Sequence, residues 1–129
     1  MKKYLLLLLF ILSISTSFCQ ELYLGKSYAE ICSIANGSKV LMSINGKKAI
    51  KEIVDTNVVD IYIFNPEDFC IEYDRIYINS DIEQVNKYLQ DFFKVGDVYE
   101  DNNKGLVAMV QTISDNTHRI RFMKKLNIY

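Results

Sequence analysis

Apolar residues recur along this chain at two different spacings. From Phe69 to Ile78 they follow the pattern of a long strand, and the run breaks at Asn79-Ser80. Beyond the break Ile82, Val85, Leu89, Phe92 and Phe93 return at helical spacing, with Glu83, Gln84, Asn86, Lys87, Gln90, Asp91 and Lys94 opposite them. Ser80 and Glu83 form a capping box, and Gly96 stands where a left-handed C-terminal residue is wanted. The spacing therefore predicts a central amphipathic helix with Leu89 and Phe92 buried together on its apolar face.

The same reading orders the rest. Glu21 to Gly25 is a short lead-in, and Ser27 with Glu30 opens an earlier helix through Tyr28, Ile31, Cys32 and Ala35, stopping at Asn36-Gly37. Val40 to Ile44 is a strand, and Asn45-Gly46 is a two-residue hairpin signal, because a type I′ turn needs positive φ at both positions. Lys48 to Val54 fits a helical turn or a strand, with the flanking turns favouring the strand. Val58 to Phe64 is β-branched and aromatic, and Asn65-Pro66-Glu67-Asp68 turns the chain into the long strand. After the central helix come Asp97 to Glu100, a turn at Asn102 to Gly105, and strands Leu106 to Ile113 and Thr117 to Met123. The expected fold is α+β: an antiparallel sheet of about six to seven strands with two helices packed on one face. The two glycine-ended, boxed helices hint at two similar halves, but one sheet explains the order without duplication.

The first 19 residues change where this domain is expected to work. Lys2 and Lys3, the apolar run Tyr4 to Leu12, and Ser17-Phe18-Cys19 have the form of a secretory signal cleaved before Gln20. A lipoprotein would carry a small residue before the acylated cysteine, where this chain has Phe18, so a lipid anchor is not expected. Residues 20–129 are then a single domain of 110 residues, periplasmic or secreted, with no membrane span in the mature chain. Loss of Lys2 and Lys3 takes the 15 basic residues to 13 against 16 acidic, a net charge of −3. With only Lys47-Lys48 and Lys124-Lys125 as basic clusters, nucleic acid is not an expected partner. Cys32 and Cys70 remain, a candidate disulfide in an oxidising compartment, although the strand and helix patterns point them to different sides.

Candidate chemistry is sparse. His118 is the single histidine, on an alternating run that places it on a strand surface with no nucleophile spaced to it. Metal-ligand pairs, an EF-hand, a phosphate loop, a dinucleotide fingerprint and a Gly-x-Ser-x-Gly elbow are all missing, so neither catalytic nor metal-ligating nor cofactor-binding residues are assigned. Glu72 and Asp74 share a strand face about 7 Å apart by strand rise, the basis for an alternative reading as a small hydrolase or carbohydrate-active enzyme. The positive signal is aromatic and basic: Tyr62, Tyr73, Arg75, Tyr77, Arg119 and Arg121 lie on strand patterns, residue types that recognition surfaces favour. The primary expectation is a non-catalytic exported protein that binds another protein.

The run Leu24-Gly25-Lys26-Ser27-Tyr28-Ala29-Glu30-Ile31 resembles the opening of small exported bacterial domains such as the SmpA/OmlA-like and β-lactamase-inhibitor-protein-like modules. The resemblance implies helices packed on an antiparallel sheet and a role in envelope assembly or enzyme inhibition. Those modules place two helices before the strands, whereas here the second lies mid-chain, and no functional residue is carried over.

Overall fold

In a computed structural model the described residues are 23–35 and 37–125. The expected signal segment and its expected cleavage point lie outside them. The elements run α1 (Tyr28–Ile34), β1 (Ser38–Ile44), β2 (Lys47–Asp55), β3 (Val58–Phe64), β4 (Cys70–Ile78), α2 (Ile82–Lys87), β5 (Phe93–Val95), β6 (Val98–Asp101), β7 (Leu106–Ser114) and β8 (Thr117–Lys124). All eight strands join one antiparallel sheet in the order β1-β2-β3-β4-β8-β7-β6-β5.

This corrects the expected fold class. The chain is mostly antiparallel sheet, with eight strands rather than six or seven and two short helices rather than an α+β balance. The central helix accounts for the difference. Its cap is Asp81, not Ser80, and the box is completed by Gln84, not Glu83. Asp81 is as good a cap as serine and brings Val85 and Leu89 onto the core. Helix α2 ends at Lys87, and turns follow through Phe92. Phe93 to Val95 then pairs with Val98 to Glu100 as a tight hairpin, Val95 against Val98, around Gly96 at φ +62°. The glycine closes a strand turn instead of a helix. Leu89 is buried, Phe92 is half-buried against Phe122 at 6.3 Å between rings, and Phe93 stands 70% exposed.

Elsewhere the turn chemistry sets the register. Asn45 and Gly46 both have positive φ, as a type I′ turn requires, and Lys47–Asp55 is a strand throughout. Ser27 caps α1 by accepting from the Glu30 N–H at 3.2 Å. The lead into that helix is fastened to the β3–β4 turn, with Gly25 N–H donating to Cys70 O at 2.8 Å and Tyr28 N–H to Asp68 O at 2.8 Å.

Both helices pack on one face of the sheet. There Ile31, Tyr62, Phe64, Tyr73, Val85, Leu89, Ile120 and Phe122 form the main core. Cys70 belongs to it and Cys32 packs against it, so the two thiols share this side of the sheet, and both are free. Burial raises the Cys70 thiol to a pKa of about 11, which keeps it protonated and unreactive at neutral pH. A second, smaller cluster of Ala49, Val59, Ile61 and Ile63, with Met42, Ile44, Ile76 and Ile78 against it, lies on the opposite face. Among the described residues no helix is long and apolar enough to cross a membrane.

Candidate functional site: the two faces of the sheet

Side chains directly opposite one another in an antiparallel pair share a face, so the register assigns every candidate to one side. The sequence-derived surface is divided. Tyr62, Tyr73, Tyr77 and Arg75 lie on the helix side, where the three tyrosines are buried. Arg119 and Arg121 lie on the opposite side, which none of the described helices covers. Packing claimed the tyrosines: Tyr62 and Tyr73 sit 5.3 Å apart, with Tyr23 at 5.1 and 4.9 Å from them. Burial is the first reason that both hydroxyls are pushed far above the ordinary tyrosine range, and the charge of Asp60 is the second.

No described helix covers this side, yet β3 places Val59, Ile61 and Ile63 on it in a buried cluster with Ala49, and β4 sets Ile76 and Ile78 against that cluster, where a solvated sheet face would be polar. Apolar residues extend to both margins. Val40 on β1 is 56% exposed and Ile53 on β2 is 45% exposed. At the far margin Phe93 and Val95 join Val98 and Met109.

Between these two apolar margins lies a cluster of charge. Asp74, 1% exposed, accepts from Arg121 through both oxygens, Nε to Oδ1 at 3.0 Å and Nη2 to Oδ2 at 3.0 Å. Arg119 Nη1 stands 3.9 Å from Asp74 Oδ2, and its other nitrogen donates to Gln111 Oε1. Glu72 Oε1 lies 3.3 Å from Arg121 Nε. Burial, then the charge of Asp74, raises the Glu72 carboxyl above its ordinary range, with Arg121 opposing. The carboxylates that a hydrolase would use are therefore bridged by one guanidinium, which compensates their charge instead of leaving an acid and a base facing a substrate. Lys47 and Lys51 share this face, so Lys47, Lys51, Arg119 and Arg121 outnumber Glu72 and Asp74, while Glu100 is taken by Lys125 at 3.3 Å. The face is apolar with a positive excess.

The helix side holds a polar network that the sequence did not announce. Glu52, Asp60 and Arg75 lie in one cross-strand row. Arg75 grips Asp60 through Nε and Nη2, each at 2.8 Å. The Tyr62 hydroxyl donates to Glu52 Oε1 at 2.8 Å, with Asp60 Oδ2 at 3.5 Å, and Gly37 N–H donates to Glu52 Oε2 at 2.6 Å. A Cβ on Gly37 would come 2.4 Å from the Ile53 carbonyl oxygen, so only glycine allows this approach. Only the register brings these three residues into one row.

His118 is buried on this side as well, rather than on a strand surface. Its Nδ1 lies 3.1 Å from Thr112 Oγ1, and its Nε2 has no hydrogen-bond partner among the described residues. No group of three or more potential metal ligands occurs among the described residues. Comparison of the chain with protein-family models, with curated proteins and with solved structures finds no match.

Proposed function

We propose that this chain is a non-catalytic, exported protein-binding module that docks a partner through the exposed margins of the sheet face opposite its described helices. The observation that carries the reading is the exposed apolar residues at the margins of that face, Val40 and Ile53 at one side and Phe93 and Val95 at the other, around a bridged charge cluster. The positive excess selects the occupant. A second copy would set like charge against like, whereas a partner with an apolar patch ringed by Asp and Glu meets both the apolar margins and Lys47, Lys51 and Arg119. The secretory form of the first residues supports an encounter outside the cytoplasm.

The test uses two exposed positions on opposite margins, Val40→Glu and Phe93→Glu, neither of which should change stability by more than about 0.5 kcal/mol. Wild type should capture one acidic protein from envelope extract, with affinity falling as salt rises, and both variants should lose it. Equal capture by wild type and both variants, or a wild-type chain that sediments as a homodimer which the variants dissolve, would overturn the reading.

A further inference from the structure

On the helix side, at the end of α1, a cavity of about 300 Å³ opens between Tyr23, Ile34, Val54 and the row Glu52, Asp60, Arg75. The geometry points to this cavity as a binding site for a small organic cation carrying a primary ammonium group. It lies on the other side of the sheet from the docking face and is independent of it.

Size sets the first bound. Small-molecule sites run from about 300 to about 1,000 Å³, so this one takes a ligand on the scale of an amino acid or a short alkylamine. Charge sets the second. Two carboxylates and one guanidinium line the space, a formal excess of one negative charge. Arg75 does not offset both acids, because its Nε and Nη2 are committed to Asp60. Glu52 is only 6% exposed and receives neutral donors, the Tyr62 hydroxyl and the Gly37 N–H. Lys39, which faces Glu52 across the strands, directs its ammonium to the Cys32 carbonyl at 2.9 Å instead. A carboxylate with acceptor capacity left over and no cationic partner among the described residues, on the wall of a cavity, favours an incoming ammonium.

The remaining walls agree. Ile34 and Val54, both partly exposed at the mouth, offer an apolar surface for a short alkyl chain. The Tyr23 ring is of the kind that attracts a cation. A divalent metal fits less well, since it needs six or more oxygens and would meet the Arg75 guanidinium already seated on Asp60. An organic anion would meet two carboxylates.

Calorimetry on the purified protein, with butylammonium as the probe and butyrate as the anion of matched size, tests the assignment. Butylammonium should bind with a Kd of about 1 mM or tighter, and butyrate should not bind. Glu52→Gln should weaken the ammonium about tenfold or more, while Val40→Glu on the opposite face should leave it unchanged. If Glu52→Gln fails to fold, Val54→Lys decides: it places an ammonium at the mouth without touching the buried row, and should weaken butylammonium to a similar degree. No heat of binding up to about 10 mM butylammonium, equal binding of butyrate, or affinity unaffected in the folded variants would overturn the proposal.

Discussion

Asp74 is held by two arginines under an apolar face, and its removal leaves their charges without compensation. Breaking a fully buried pair costs about 3 to 5 kcal/mol; because Arg121 is partly exposed, Asp74→Asn should cost about 2 to 3 kcal/mol in urea melts. Glu72 behaves in the opposite sense. Its carboxyl is raised in the folded chain, so folding favours its protonated form, and that contribution is fully present below the ordinary glutamate pKa and lost as pH rises through the raised value. Glu72→Gln should therefore match wild type near pH 4 and equal or exceed its melting temperature at about pH 7. A variant less stable than wild type at neutral pH would show that the bond to Arg121 outweighs the burial cost. His118 supplies a third case at this scale. Its unpartnered buried nitrogen carries a desolvation cost of about 1 to 3 kcal/mol, so His118→Leu should be tolerated or stabilising by thermal melt.

At the scale of elements, α2 explains what the sequence could and could not say. Ile82 and Val85 at helical spacing locate the helix, although its cap is Asp81 and not the Ser80 of the expected box; Val85 is its buried contact, and Leu89 reaches the core from the turn that follows it. The extension to Phe92 and Phe93 failed because apolar residues three and four apart also suit a turn followed by a short strand, and pairing with β6 decided between them. Leu89→Ala should thus cost about 2 to 4 kcal/mol, half-buried Phe92→Ala only about 1 to 2, and solvent-facing Lys87→Ala no more than about 0.5. Equal losses at Leu89 and Phe92 in urea would restore the longer helix. The hairpin at Asn45-Gly46 was legible because its turn tolerates few residues. The Glu52, Asp60, Arg75 row was not, since each residue alone looks like a solvated strand position and only the register brings them together.

For the whole molecule, one fact organises the rest: the helices cover one face of an eight-stranded sheet, and the other face remains apolar among the described residues. Neither the strand count nor the sidedness could be read from alternation alone, because β3 is apolar on both of its faces, with Tyr62 and Phe64 on one and Ile61 and Ile63 on the other. The measurement that reaches this claim most directly is photo-crosslinking in envelope extract from single positions carrying a photoreactive phenylalanine. Val40 and Phe93 probe the margins of the face opposite the described helices, and Tyr88, 56% exposed beside α2, probes the helix side. The account predicts one acidic partner crosslinked from Val40 and from Phe93 and none from Tyr88; the same partner crosslinked from Tyr88 alone would contradict it.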